Sequence, residues 1–309
     1  MERTLVFLGT VATACALAGA AQNRIPGVWD GSSVVKVAGG MKFTEGPVWV
    51  ARPGYLLFSD IPANTIYKWS EAGGLVPWRT PSDGANGLTL DARGMLLACE
   101  HRSRRLTWAV PGGGRIAIAS HLEGKRLNSP NDVVVKSDGS VYFTDPPYGL
   151  RKSMGRELEE DGVYRFDPAS WRLARVVGGH AFPNGLAFSP DEKTLYVAYS
   201  NRREPRVRAF DVSPGGRLSG ERVFCDLTND RGRVPDGIKV DAAGRLYVTC
   251  DGVMVFAPGG DLLGSIPVPE VPANIAWGGD DWRTLYITAR KSLYRVALET
   301  PGVPVGVRE

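Results

Sequence analysis

One strand-rich unit recurs six times along the chain, and a repeat of this kind admits few architectures. Glu45-Gly46-Pro47-Val48-Trp49 leads into the alternating run Tyr55-Leu56-Leu57-Phe58-Ser59-Asp60 and then into Thr65-Ile66-Tyr67-Lys68-Trp69. Asn86-Gly87-Leu88 opens a second unit, and Asn131-Asp132-Val133, Asn184-Gly185-Leu186, Asp236-Gly237-Ile238 and Asn274-Ile275-Ala276 open the rest. A second run follows each opening, such as Val141-Tyr142-Phe143-Thr144, and then a third, such as Gly162-Val163-Tyr164-Arg165-Phe166. Asp91-Ala92-Arg93-Gly94, Ser137-Asp138-Gly139 and Asp241-Ala242-Ala243-Gly244 join first and second runs with residues suited to tight hairpins. Each unit therefore reads as an antiparallel meander. The openings lie 38 to 53 residues apart, close to the roughly 40 to 50 of a propeller blade. A blade cannot bury both faces alone, so neighbours must stack radially and the ring must close. The expected fold is all-β, a six-bladed β-propeller of four-stranded antiparallel blades. Ser33-Val34-Val35-Lys36-Val37 belongs to no unit, and little strand material follows Ser292-Leu293-Tyr294-Arg295-Val296, so this N-terminal segment is expected to close the last blade.

Composition agrees with a fold full of turns. The chain holds 38 glycines and 22 prolines in 309 residues, about 12% and 7% against usual frequencies of about 7% and 5%. A net charge of +4, without a long Lys/Arg run, argues against a nucleic-acid partner. Beyond the N-terminus no apolar run is long enough to span a bilayer. Met1-Glu2-Arg3-Thr4, the apolar stretch from Leu5 to Leu17 and the small residues Ala18-Gly19-Ala20-Ala21 have the layout of a secretory signal. Residues 1–20 are read as that signal, with export to the periplasm or the exterior; a lipid anchor on Cys15 is the weaker alternative. The propeller is expected over 24–300, with a C-terminal tail at 301–309. The mature chain then keeps Cys99, Cys225 and Cys250, an odd number that allows at most one disulfide. Stability must come from packing.

In such a ring the repeat openings lie at the start of the innermost strands, around one channel and at similar depth. They read Glu45, Asn86, Asn131, Asn184, Asp236 and Asn274: two carboxylates and four carboxamides. An all-oxygen set with two negative charges suits a hard dication, Ca²⁺ better than Mg²⁺. The three histidines, His101, His121 and His180, have no zinc-ligand spacing. Any one Asn-Gly or Asp-Gly taken alone is a turn former; the inference comes from repetition. The loops between second and third strands open on the same mouth and carry Asp60, Asn64, Glu100, His101, Arg102, Asp145, Tyr148, Arg151, Asn201, Arg202, Asp251 and Arg290. Basic groups there suit an anionic or polyol substrate. The longest loop, Asp145 to Asp161, is placed to cover the pocket.

The chain resembles the gluconolactonase and senescence-marker-protein (regucalcin) family of propellers, and more distantly the calcium-dependent organophosphate hydrolases. The resemblance runs from Phe43-Thr44-Glu45-Gly46-Pro47-Val48-Trp49 to Thr284-Leu285-Tyr286-Ile287-Thr288. It is most specific at Leu127-Asn128-Ser129-Pro130-Asn131-Asp132-Val133, Thr144-Asp145-Pro146-Pro147-Tyr148-Gly149, Pro183-Asn184-Gly185-Leu186 and Pro235-Asp236-Gly237. It implies a catalytic divalent cation, usually calcium and sometimes zinc, on Glu45, Asn184 and Asp236, with Asn131 joining it or touching substrate. Asn86 and Asn274 become secondary candidates. One departure is Ala198-Tyr199-Ser200, where an acidic residue is expected in gluconolactonase-like relatives.

The resemblance further implies hydrolysis of a sugar lactone to the aldonic acid. That reaction needs a Lewis acid at the carbonyl, a base for water and donors for the ring hydroxyls. Asp236 is the candidate base and Asn131 the residue that orients substrate; His101, Glu100, Asp145 and Arg102 are candidates for hydroxyl contacts. No Gly-x-Ser-x-Gly elbow is present, which disfavours a serine nucleophile. The alternatives are a phosphotriesterase on the same cation and a non-catalytic propeller stabilised by calcium.

Overall fold

The computed structural model describes residues 24–150, 153, 155–228 and 232–306. The signal segment and Arg151 lie outside them. Six four-stranded antiparallel sheets follow one another along the chain. Their innermost strands are Thr44–Val50, Ala85–Leu90, Val133–Val135, Pro183–Phe188, Ile238–Val240 and Pro272–Gly278. Each inner strand touches the inner strands of the blades on either side, and the first touches the sixth, so the ring is closed. Val35–Gly39 pairs antiparallel with Ser292–Ala297 and supplies the outer strand of the sixth blade, as the unassigned N-terminal run led one to expect. A short hairpin, His121–Leu122 with Lys125–Arg126, bridges the second and third blades. No helix occurs among the described residues.

Burial follows from the stacking. Inner strands are covered on both faces, those of the first, second and sixth blades being buried along almost their whole length, whereas the fourth strands, such as Gly74–Arg79 and Arg172–Val177, are largely exposed. The apolar core is accordingly divided into six clusters, one at each blade junction. The cluster joining the sixth blade to the first contains Trp49, Leu56, Phe58 and Trp69 from one side and Ala276, Tyr286 and Leu293 from the other. Trp49 and Tyr286 stack across that seam with centroids 5.4 Å apart, which adds about 0.5–1.5 kcal/mol beyond burial. Cys99, Cys225 and Cys250 are buried and free, in keeping with stability from packing. Pro301–Gly306 runs across the end of the ring opposite the Glu45 face, with Gly302 seated on the Trp277 ring and bridged to Asp241.

Hydroxyls and glycines tie neighbouring inner strands together. Ser59, Thr144, Ser200 and Thr249 each donate to a backbone carbonyl of the next blade: Asn86 (2.7 Å), Asn184 (2.8 Å), Pro235 (2.5 Å) and Ala273 (2.8 Å). Gly46 stands at φ 50°, and a Cβ there would lie 2.0 Å from the Asn86 carbonyl oxygen. The obstacle is backbone, and it cannot give way. Gly46→Ala is therefore expected to destabilise the fold by about 2–4 kcal/mol, measurable by denaturant unfolding; a change within about 0.5 kcal/mol would contradict this close approach.

Candidate metal and active site

The register places the repeat openings together at one mouth of the channel. Glu45, Asn86, Asn131, Asn184 and Asn274 are all buried, each less than one-tenth exposed, and Asp236 is half-buried at the rim. Glu45 Oε2 accepts from Gly46 N (2.8 Å) and from Asn274 Nδ2 (3.1 Å). Asn274 turns its oxygen to the amide of Ile275 (2.9 Å) and its Nδ2 to Glu45, so it supports Glu45. Asn184 Nδ2 donates to Ser200 Oγ (2.9 Å) and a hydrogen bond from Asn184 also reaches Asp236. Ser200, standing where an acidic residue was expected, is thus a neutral prop for Asn184. The Asn131 carboxamide has no hydrogen-bond partner among the described residues. Its backbone is fixed by Asn131 N donating to Thr144 O (2.8 Å) and Gly87 N donating to Asn131 O (2.8 Å).

A third carboxylate went unassigned in the sequence. Asp132 is buried, holds the amide of Val133 (2.9 Å) and lies 3.5 Å from Lys239 Nζ. The signal was present, because four of the six units have Gly after the opening residue and the third has Asp. Burial, the charge of Asp236 and the charge of Asp132 push Glu45 well above the usual carboxylate range. Burial, helped by Asp132, raises Asp236 to about 7 against the hydrogen bond from Asn184. Burial and neighbouring negative charge thus favour the protonated forms of Glu45 and Asp236.

His101 belongs to this ring as well. It is buried, its Nε2 accepts from Asn86 Nδ2 (3.2 Å), and burial lowers its pKa to about 4, so it is neutral near pH 7. That bond leaves Asn86 Oδ1 buried without a partner. A buried carboxamide oxygen left bare in the same ring of repeat openings as Glu45 and Asp236 is a donor open to a cation. No group of three or more His, Cys, Asp or Glu side chains that would hold a metal occurs among the described residues. A cation here depends instead on mixed carboxylate and amide oxygens, and the donor set of Glu45, Asp236, Asn131, Asn184 and Asn86 fits a hard dication.

The remaining candidates divide into walls and supports. Glu100 is fully buried; its carboxylate accepts from Ser103 (2.6 Å), Arg105 (2.7 Å) and Thr107 (3.0 Å) and pairs with Arg115 (2.9 Å), so it braces the second blade. Arg102 is exposed and donates to the Pro62 carbonyl (3.4 Å). Asp145 is buried, accepts from Asn128 N (2.7 Å) and is raised by burial to about 7. It roots the long loop, and Ser129 pins the same loop by donating to Pro146 O (2.6 Å) and accepting from Gly149 N (2.8 Å). Gly149 lies against His101, where a Cβ would be 2.6 Å from the His101 side chain. Tyr148, carried by this loop, stacks on Phe182 at 5.9 Å and donates its hydroxyl to the Phe182 carbonyl (3.4 Å), close enough to Asn184, Ser200 and Asp236 for them to act on it. The loop therefore roofs the Asn184–Asp236 side of the mouth.

These shifts set a pH dependence. In cation-free protein, Glu45, Asp236 and Asp145 bind protons more tightly than the same carboxyls in the unfolded chain, which titrate near pH ~4. Their contribution is complete below that value and falls as pH rises above it, that of Asp236 and Asp145 being lost through about 7. His101 acts in the opposite sense between about 6.5 and about 4, a smaller effect of one group. Melting temperature in chelator is expected to fall from pH 5 to pH 8, and less steeply in Asp236→Asn; a rise across that window would contradict the crowding of carboxylates.

The model of the SMP-30/gluconolactonase/LRE-like region matches residues 43–291. The chain belongs to this family. It is similar to a gluconolactonase of Zymomonas mobilis, 34% identical over 304 residues that cover 90% of this chain and 85% of that one. A pentonolactonase of Haloferax volcanii is 28% identical over 79% of this chain and 80% of its own length. The solved structure of a gluconolactonase from Xanthomonas campestris aligns at TM-score 0.80 with 34% identity, covering 90% of this chain and 91% of that chain. As a member of the SMP-30/gluconolactonase/LRE-like family, the chain is a lactonase-type hydrolase on a propeller scaffold, with no helix among the described residues long and apolar enough to cross a membrane.

Proposed function

We propose that the protein opens a gluconolactone-like sugar lactone to the aldonic acid, using a divalent cation, calcium by preference, held by Glu45, Asn131, Asn184 and Asp236. The observation that carries this reading is the crowding of Glu45 with Asp236 and Asp132 in a ring that also leaves the Asn86 oxygen unpartnered, an arrangement that a dication would relieve. When bound, the ion would supply Lewis-acid polarisation of the lactone carbonyl and offset the carboxylate charge. Calcium is favoured over zinc because all the available donors are oxygen.

The chain's own groups supply the rest. Asp236 takes a proton from water as the water oxygen bonds to the carbonyl carbon, and returns it to the ring oxygen as the ring C–O bond breaks, giving the acid and a free hydroxyl. Asn131, with its carboxamide unengaged, orients the lactone. Tyr148 offers its hydroxyl to the substrate from the roofing loop, and its phenol, raised by burial, remains protonated and a donor. His101 fixes Asn86, while Asn274 and Gly46 fix Glu45.

A pH-indicator screen of aldono- and urono-lactones, with a phosphotriester as comparison and with calcium, zinc or chelator, tests this function. Acid release from a gluconolactone-type substrate that stops in chelator is the expected result; cation-independent turnover, or turnover of the phosphotriester alone, would contradict it. We also propose that residues 1–20 direct export. Cell fractionation with N-terminal sequencing of the mature protein checks this, and an intact Met1 on cytoplasmic protein would refute it.

A further inference from the structure

One cation at the mouth is not used by the site described above. Arg290 lies in the hairpin between Thr284–Ala289 and Ser292–Ala297, exposed, with its backbone in the left-handed region at φ 46°. Non-glycine residues adopt that conformation at a cost, so it persists where surrounding bonds hold it. Here the Arg290 carbonyl accepts from Thr44 N (2.8 Å) and Thr44 Oγ1 (3.3 Å), on the residue next to Glu45. The guanidinium lies over the Phe43 ring, 5.6 Å from its centroid. Its charge also acts on Asp236, opposing the effect of burial there.

The left-handed arginine of the second blade's mouth hairpin is a useful contrast. Arg104 is buried and donates through Nε to the carbonyls of Leu127 (2.6 Å) and Asn128 (3.2 Å), a structural role that occupies its fork. Arg290 has no such acceptors: among the described residues it donates no hydrogen bond and forms no ion pair. Nearby acids on the rim are engaged elsewhere. Asp60 accepts from the amides of Lys42 (2.8 Å) and Phe43 (3.1 Å), and Glu270 accepts from Lys291 N (2.9 Å), Tyr294 (3.0 Å) and Ser292. A guanidinium oriented by an aromatic ring, anchored beside a proposed metal ligand and lacking an anion is a receptor for one.

We propose that the lactone taken by this protein carries an anionic group, a carboxylate, sulfonate or phosphate, on the part of the sugar remote from the reacting carbonyl, and that Arg290 binds it. This rests on the lactonase reading and narrows its substrate class. The charge would discriminate against neutral lactones of the same ring size mainly through binding, so the effect belongs in KM.

The test compares wild type, Arg290→Gln and Arg290→Lys on gluconolactone, glucarolactone and 6-phosphogluconolactone. Wild type is expected to show a KM at least tenfold lower for the acidic lactones. In Arg290→Gln that ratio should collapse towards one, and Arg290→Lys should keep part of it. Raising ionic strength should erode the ratio in wild type, because an exposed charge pair is screened. Equal KM values in wild type, or a ratio unchanged by Arg290→Gln, would overturn the proposal. Calorimetry with glucarate and gluconate, the ring-opened acids, keeps the two readings apart. If no lactone is hydrolysed the function fails on its own, whereas tighter binding of glucarate that is lost in Arg290→Gln sustains the anion site, and equal binding overturns it.

Discussion

Asp236→Asn is expected to lower lactone turnover by about 10³-fold or more, from loss of a positioned base and of one negative charge on the cation. Asparagine keeps the shape and an oxygen but cannot accept the proton. The effect on folding should have the opposite sign. Asp236 sits among carboxylates that push one another's pKa upward, so removing its charge relieves repulsion and is expected to raise the melting temperature of cation-free protein at pH 8. The pairing of lost activity with gained stability separates a functional carboxylate from a structural one. Steady-state kinetics and thermal melts on the same preparation decide it; an Asp236→Asn protein that is active, or that is inactive only because it is unfolded, would refute the assigned role.

The second large effect concerns the cation. If calcium binds the folded protein and not the unfolded chain, a concentration of 100 times Kd stabilises by about 2.7 kcal/mol. For a propeller of this size that is a rise in Tm of roughly 4–5 °C. Glu45 is the most buried charged donor of the set, with hydrogen bonds from Gly46 and Asn274 that hold its carboxylate in place. Glu45→Gln preserves that volume and removes one of two ligand charges, so the calcium-dependent shift should largely disappear together with activity. Differential scanning calorimetry with calcium and with chelator measures it. A Glu45→Gln protein with a wild-type calcium response would remove Glu45 from the site.

Most of the architecture was legible in the sequence because the signal repeats. Six openings in one frame fix six inner strands, and once those strands converge, Glu45, Asn131, Asn184 and Asp236 have to face one axis. The unassigned run at Ser33–Val37 pointed to ring closure for a similar reason, since an unpaired strand needs an edge; the observed strand is shifted by two residues, to Val35–Gly39.

What was not legible is local. Oxygen donors at matching positions look alike, yet Asn274 turns its oxygen to Ile275 while Asn86 leaves its oxygen bare, and that difference is set by His101 from a neighbouring loop. Polar residues of the mouth loops also look alike in sequence. Glu100 and Asp145 turn into the blades, because Arg105, Arg115 and the Asn128 amide meet them there, whereas Tyr148 turns towards Asn184. Such choices depend on contacts between distant residues, which periodicity does not encode. Asp132 is masked in the sequence by the Asn131 it follows, although four of the other five repeats have glycine at that place.

The most direct test of the central claim is a crystal structure of the protein grown with calcium, with the ion located by its anomalous scattering. The expected result is one strong peak on the channel axis with oxygens of Glu45, Asn131, Asn184 and Asp236 at about 2.3–2.6 Å. A calcium-saturated crystal with no peak among those four side chains, or with the ion held elsewhere, would contradict it.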